Sequence, residues 1–343
     1  MNPTCPIPIT PQSQVQLAHG EGGRLMRQLI RQEVLARFPS SELGRLGDAA
    51  VLAVEEGELA FSTDGYVVSP LFFPGGDIGK LAVHGTVNDL AMLGAVPLYL
   101  SLGLIIEEGL SLDTLRRVLQ SVADAASACG VQVVTGDTKV VPRRSADGLF
   151  LHTSGIGRIR PGINLDARHC RPGDAILVNG TIGDHGMAVL AAREGLAEGL
   201  QSDTAPLHDL VQQLLNQVAH IRFLRDATRG GVSAVLHELA EAAGVCVRIE
   251  ETAVPIHPAV RGACELLGLD PLHVANEGKL IAVVAAQDAA LALEVMRQHP
   301  LGRQAARIGE VLQGTPGEVQ VRGAIGRLRV LDEPAGAPLP RIC

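Results

Sequence analysis

Four aspartates stand in similar settings: Asp48 in "LGDAAV", Asp64 in "STDGYV", Asp89 in "TVNDLA" and Asp137 in "TGDTKV". Each lies beside a small residue at the start or end of an apolar element. Short carboxylates in such places suit a hard cation such as Mg2+, which takes oxygen ligands alongside phosphate. Any one of them alone is equally a turn former or a helix cap. It is the recurrence within one half of the chain that points to a cation and phosphate site.

The basic residues narrow the chemistry. The chain has 26 Arg but only three Lys, so Arg has replaced Lys almost everywhere. The survivors are Lys80 in "GGDIGKL", Lys139 in "GDTKVV" and Lys279 in "NEGKLIAVV", each near glycine and a carboxylate. A compact ammonium cannot be exchanged for a planar guanidinium where a phosphate or proton is met at a point. Gly75, Gly76, Gly79 and Lys80 approximate a P-loop, but the spacing is one residue short and Leu81 stands where Ser or Thr belongs. "AHGEGG" and "DATRGG" also place glycines ahead of helices, where backbone amides meet anions. Phosphate binding is expected, by neither a P-loop nor a Rossmann fingerprint.

Proton transfer has two candidates. Glu277 in "ANEGKL" sits in an apolar neighbourhood that would raise its pKa and make it an acceptor or donor; otherwise it is an ordinary turn glutamate. His185 in "GDHG" is a ligand, a base or only a cap. The chain ends in "PLPRIC", so Cys343 is its last residue. A terminal thiol is expected to be mobile, exposed and reactive, with Arg341 offsetting the effect of the α-carboxylate on its pKa. Cys129, Cys246 and Cys264 lie among Ala, Val and Leu and are read as small core residues, and Cys5 as incidental.

These residues need a scaffold of alternating strands and helices. A Pro-rich leader covers residues 1–16, and "HGEGGRLMRQLIRQEVLARF" is a glycine turn followed by an amphipathic helix. "LAFSTDGYVV" is read as strand, turn and continuation, "IGKLAVHGTVNDLAMLGA" as a helix and "PLYLSLGLII" as a strand. "LDTLRRVLQSVADAASACG" is an amphipathic helix closed by Gly130; "VQVVTGDTKVV" is a strand entering a turn, and "LFLHTSGIGRI" another strand. The periodicity breaks near "RPGINLDARHCRPGD", which puts domains at 17–160 and 161–331. The second repeats the style through strands "AILVNG", "VCVRIEE", "KLIAVVAA" and "AARIGEVL", with helices between. Residues 332–343, with three prolines, are a flexible tail. The fold class is therefore α/β (α+β), two domains plus a tail.

Composition removes several functions. A net charge of −8 argues against nucleic acid as the main partner. No apolar run reaches membrane-spanning length, and the N-terminus lacks the pattern of a signal peptide. The cysteines have no metal-ligand spacing and are expected to be reduced thiols in the cytoplasm. Aromatics are scarce, so Ala, Val, Leu and Ile must build the core.

Taken together, "FSTDGYVVSPLFFPGGDIGKLAVHGTVNDLAMLGA", "GDTKVV", "LRDATRGGV", "ANEGKL" and the closing "PLPRIC" resemble the HypE family of hydrogenase maturation proteins. The resemblance runs from about Leu17 to Cys343. The wider superfamily includes aminoimidazole ribonucleotide synthetase, selenophosphate synthetase and thiamine-monophosphate kinase, which lack the cysteine tail. It implies the aminoimidazole ribonucleotide synthetase-like fold, with the N-terminal sheets of two subunits paired in a homodimer. It implies that a carbamoyltransferase, HypF, loads a carbamoyl group onto Cys343. ATP-dependent dehydration then yields a thiocyanate, whose cyano group passes to hydrogenase iron on a HypC–HypD complex. By the same resemblance Asp48, Asp64, Asp89 and Asp137 are the Mg2+ carboxylates. The ATP site adds Lys80, Asn88 and Gly136. Glu277 is the base, Lys139 steadies the transferring phosphate, and His185 is the next proton acceptor. Two alternatives stay open: a relative phosphorylating a free small molecule with Cys343 idle, and a non-catalytic thiol scaffold or metal carrier.

Overall fold

The computed structural model describes residues 23–29, 31–32, 46, 49–54, 57–195, 199–333, 339 and 341–343. Asp48, the Pro-rich leader with Cys5, and part of the helix expected after that leader lie outside the described residues. In chain order the first half contains α1 (Gly23–Leu29), β1 (Ala50–Val54), β2 (Gly57–Tyr66), β3 (Phe72–Phe73) and β4 (Gly76–Asp77). Then come α2 (Ile78–Met92), β5 (Ala95–Glu107), α3 (Leu112–Ala128), β6 (Gln132–Val141) and β7 (Leu149–Ile159). Its five-stranded sheet has the order β1-β2-β7-β5-β6, and β3 and β4 form a small separate hairpin.

Helix α2 is apolar almost all round, with only Asp89 and Lys80 breaking a run of buried residues. A helix of that pattern must be enclosed. It lies on β2 and β7 and is flanked by α3 and α5. Asp77 caps it, taking the amides of Gly79 and Lys80 on one carboxylate oxygen at 2.8 and 3.0 Å. Those amides are thus committed within the helix start, which removes them as an anion cradle; the Lys80 side chain is exposed.

The second half contains β8 (Ala175–Val178), α4 (Asp184–Glu194), α5 (His208–Gln217), β9 (Ile221–Asp226), α6 (Gly231–Ala243) and β10 (Cys246–Glu250). It continues with α7 (Pro258–Leu267), β11 (Leu280–Val284), α8 (Ala289–Gln298), β12 (Ala306–Leu312), β13 (Val319–Arg322) and β14 (Leu328–Val330). These strands make a seven-stranded sheet, β14-β13-β10-β12-β8-β11-β9, mostly antiparallel with β10 and β13 parallel. The unbroken apolar runs of β8 and β11 are buried on both faces, as central strands covered by helices require. Two core clusters result, one under α6 and one under α5 and α8. No helix among the described residues is long and apolar enough to cross a membrane.

Two expected turns are absent. Strand β2 runs through Asp64 and Gly65, paired with Thr153 and His152 of β7. Strand β6 likewise runs through Gly136 and Asp137, paired with Leu102 and Gly103 of β5. Neither glycine takes the left-handed backbone that a turn would use. Gly136 serves close approach instead: a Cβ there would lie 2.2 Å from the Leu102 carbonyl oxygen. Strands β9, β13 and β14 were not expected from the sequence pattern.

The tail is corrected more substantially. Its last residues are docked, not free. Val67 N donates to a carboxylate oxygen of Cys343 at 3.2 Å and Ser69 N to the Arg341 carbonyl at 3.3 Å, so the terminus lies antiparallel beside the chain leaving β2. Leu339 and Ile342 supply the apolar anchors, packed with Tyr66, Phe73, Val189 and Ala275. Cys343 is 9% exposed.

Candidate active site

Four short segments converge on the docked Cys343. The segment carrying Glu277 is fixed by its neighbours in sequence. Fully buried Asn276 donates to the carbonyls of Ala227 and Val274 at 2.7 and 3.1 Å and accepts from Gly183 N at 2.7 Å. Glu277 N donates to Asp203 Oδ1 at 3.0 Å, and Lys279 Nζ donates to Asp203 Oδ2 at 2.8 Å. Gly278 lies against the Asp203 carbonyl so closely that a Cβ would meet it at 2.0 Å. The sequence "NEGK" is therefore a clamp, a buried carboxylate, a close approach and an ion pair in succession.

Glu277 itself is 3% exposed. Burial, and then the carboxylates of Asp226, Asp64 and Asp203, push its pKa well above the ordinary range, with Arg229 opposing them. Asp226, at the end of β9, is pushed up to about 6, mainly by burial. Burial likewise pushes the Cys343 thiol up to about 12, against Arg229 and with Glu277, Asp64 and Asp226 adding to it. The docked sulfur is thus a protonated thiol, facing one guanidinium and three carboxyl groups. Arg341, expected to influence this thiol, turns away and pairs with Asp147; Arg229 takes that part.

His185 is fully buried, and both ring nitrogens are engaged. Nε2 lies 2.9 Å from the Ile342 carbonyl and Nδ1 2.8 Å from Ser202 Oγ. A carbonyl only accepts, so Nε2 carries the proton and the Ser202 hydroxyl donates to Nδ1. Burial lowers the pKa of the ring. Its geometry is that of a neutral hydrogen-bonding group, not of a proton acceptor facing the sulfur.

The aspartates separate into two places. Asp64 on β2 and Asp89 on α2 are both partly exposed and lie close to Tyr66, whose hydroxyl they hold above its usual pKa after burial. Ser62 Oγ donates to Asp89 Oδ2 at 2.6 Å. Asp137 lies on β6, three strand spacings from β2, which is about 14 Å. It and Lys139 are exposed, 3.2 Å apart in an ion pair with each other, and Lys139 holds the Asp137 carboxyl below its usual pKa. Asn88 is committed elsewhere. Its amide donates to the carbonyls of Ala205 and Glu277 at 3.1 and 3.3 Å, and its oxygen accepts from Leu207 N at 2.7 Å. It ties α2 to the second half of the chain.

Among the described residues no three His, Cys, Asp or Glu side chains form a ready metal cage. Asp64 and Asp89 nevertheless fit Mg2+, which is held by one or two carboxylates together with substrate phosphates and water. Sequence reasoning missed Arg229, Asp226 and Asp203. The first two lie within "RDATRGG", whose glycines carry the local signal; Asp203 in "QSDTAP" has no local signal at all.

Comparison with known proteins completes the description. The family model for the AIR synthase related protein N-terminal domain matches residues 46–159, and that for the C-terminal domain matches 171–322. The chain is similar to carbamoyl dehydratase HypE of Cupriavidus necator, 51% identical over 96% of this chain and 95% of the relative. It superposes on the crystal structure of HypE in complex with ATP with a TM-score of 0.81 and 48% identity, covering 96% of this chain and all of the other. The HypE–HypF complex structure gives a TM-score of 0.85 and 45% identity over 89% of this chain and 99% of that one.

Proposed function

The chain belongs to the carbamoyl dehydratase HypE family of AIR synthase related proteins, and from that premise we propose that it dehydrates a carbamoyl group carried on its own Cys343 to a thiocyanate. The product is the source of a cyanide ligand for the iron of a [NiFe]-hydrogenase. The observation that carries this reading is the burial of the terminal Cys343 among Glu277, Asp226, Asp64 and Arg229.

The chemistry follows from that setting. The carbamoyl oxygen, a poor leaving group, attacks the γ-phosphorus of ATP and ADP departs. Loss of one nitrogen proton gives an S-linked imidoyl phosphate. Loss of the second, with cleavage of the C–O bond, gives the S–C≡N group and phosphate. Glu277 in its ionised form accepts a nitrogen proton: burial raises the affinity of that carboxylate for a proton. Arg229 meets the negative charge that develops on oxygen. Asp64 and Asp89 would hold Mg2+, which neutralises phosphate charge during the transfer.

The docked thiol also explains why loading takes place elsewhere. A thiol with a pKa near 12 is a poor nucleophile. The S-carbamoyl group is uncharged, so the same burial costs it little. The tail therefore leaves the site to receive the carbamoyl group from HypF and returns with it, and it leaves again to meet a HypC–HypD complex. This cycle runs in the cytoplasm, where the thiol stays reduced.

The protein acts as a homodimer. Strand β6 is the open edge of its sheet, and every residue from Gln132 to Val140 is exposed, including Val133, Val134 and Val140. An apolar open edge of this kind calls for a covering partner. Pairing there would offer the Asp137 and Lys139 of one subunit to the nucleotide of the other, consistent with their distance from Asp64 within one chain.

The test is the mass of the C-terminal peptide after incubation with HypF and its carbamoyl donor. Without ATP the carbamoyl adduct accumulates; with Mg-ATP it loses one water. A peptide whose mass never changes refutes the proposal.

A further inference from the structure

The hydrogen bonds that hold the terminus fall on its main chain. The Arg341 carbonyl accepts from Ser69 N at 3.3 Å and from the Arg193 guanidinium at 2.8 Å. The Ile342 carbonyl accepts from His185 Nε2 at 2.9 Å, and a carboxylate oxygen of Cys343 from Val67 N at 3.2 Å. Arg193 also donates twice to the Ser69 carbonyl, at 2.9 and 3.1 Å, so one guanidinium joins the tail to the segment that receives it. Two successive carbonyls and the terminal carboxylate are thus gripped, counting inward from the last residue.

We propose that His185 and Arg193 are positioning residues that hold the tail by its backbone and so fix how deep the Cys343 sulfur sits beside Glu277. The inference rests on the dehydration reading for its purpose but not for its test. A backbone grip sets depth by residue count, which matches a reaction needing the reactive atom at one place. The ring of His185 is held for this task from behind: Ser202 Oγ donates to Nδ1 while accepting from Thr204 N at 3.1 Å, and Phe73 packs edge-on at 5.4 Å. Arg341 shows that the grip is firm. Its backbone sits at φ +57°, a left-handed conformation that is strained for a non-glycine residue and persists only where neighbours over-determine it. Here two donors fix its carbonyl and Asp147 fixes its side chain.

The test is alkylation of the free full-length protein with iodoacetamide, read by mass on the C-terminal peptide and expressed relative to buried Cys170. His185→Phe keeps a ring but removes the donor; His185→Gln places an amide donor near the position of Nε2. Arg193→Met removes the guanidinium. Losing one such hydrogen bond should raise the relative labelling of Cys343 by about threefold to tenfold in His185→Phe and Arg193→Met. His185→Gln should restore most of the protection. In the carbamoylated enzyme kcat should run in the reverse order, lowest in His185→Phe and Arg193→Met and largely restored in His185→Gln, with KM for ATP unchanged.

An unchanged labelling ratio in His185→Phe and Arg193→Met overturns the proposal. So does His185→Gln behaving like His185→Phe in both labelling and kcat, which would return the ring to a proton-transfer role. General unfolding exposes Cys170 too and leaves the ratio low, which also counts against it. Labelling needs neither ATP nor a carbamoyl donor. If the variants show the predicted labelling order and the wild-type protein forms no thiocyanate, the dehydration reading alone is refuted.

Discussion

Asp203 holds Glu277 by its main-chain nitrogen with one carboxylate oxygen, at 3.0 Å, and Lys279 by its ammonium with the other, at 2.8 Å. The two lysine and aspartate side chains are 11% and 5% exposed. Burial alone would push the Asp203 carboxyl up, but Lys279, with the nearby His185 and the Glu277 amide, holds it below its usual value. Its stabilising contribution is present above the unfolded pKa and is lost as pH falls through the lower folded one. Lys279→Met leaves a buried carboxylate without its ammonium and should destabilise the fold by about 3–5 kcal/mol at pH 7. The loss should shrink at pH 4 and below, where the aspartate in the variant takes a proton. Urea midpoints of both proteins across that range check the effect and its sign.

Glu277 shows the opposite linkage. Its folded pKa is raised by burial first and then by Asp226 and Asp64. The folded state therefore keeps a proton that the unfolded chain releases, and stability falls as pH rises from about 4.5 through the folded pKa. In the nucleotide-free protein Glu277→Gln should match the wild type near pH 4 and exceed its Tm by at least about 2 °C at pH 8. The same variant should accept the carbamoyl group on Cys343 yet fail to complete dehydration, because the amide cannot take a proton. Thermal scans at two pH values and the peptide mass read the two effects separately. Thiocyanate formation at the normal rate would pass the base role to Asp226.

Nucleotide binding should depend on the aspartates beside Tyr66 and not on the thiol. Asp64→Asn and Asp89→Asn each replace a charged oxygen ligand with a neutral amide and should weaken Mg-ATP binding by at least about tenfold. Cys343→Ala should leave it unchanged while abolishing carbamoyl loading. Calorimetric titration decides; unchanged affinity in both aspartate variants moves the cation elsewhere.

How far these residues were legible depended on sequence distance and on which atoms do the work. Asp64 and Glu277 stand out because a carboxylate beside glycine in an apolar run is locally unusual, and Asp89 because it interrupts an apolar helical stretch. Cys343 stood out by position alone. Asp203 gave no signal, because its partners Glu277 and Lys279 lie 74 and 76 residues away. The role of His185 was hidden for the same reason, and because its target is a main-chain carbonyl, which any residue would provide. "STDGYV" and "TGDTKV" were misread as turns because Asp-Gly and Gly-Asp pairs favour them. In both, cross-strand pairing overrode the local preference. The tail looked coreless because its prolines dominate the pattern; Leu339 and Ile342 sufficed to dock it.

The docked terminus leads to a last prediction, that Cys343 must be the final residue. Val67 pairs with Cys343 and Ser69 with Arg341, so the tail runs antiparallel to the chain leaving β2. Continuing that register, the next residues would advance toward Gly65 and Asp64. That is where Asp64, one of the carboxylates proposed to hold Mg-ATP, stands. An added Gly-Ser after Cys343 would therefore do one of two things. With the thiol held in place, the extra backbone would occupy the nucleotide side of the site. With the chain slid outward by two residues, the carbonyls in the His185 and Arg193 grip would belong to the wrong residues, and the sulfur would sit about 7 Å from its place. Either outcome separates the carbamoyl group from the phosphate it must attack. Loading by HypF requires only an accessible thiol and should persist. Conversion to thiocyanate should fall by at least about tenfold. The C-terminal peptide, followed by mass over time after Mg-ATP is added to the loaded protein, measures both steps. Conversion at the wild-type rate in the extended chain would mean that the thiol need not be terminal.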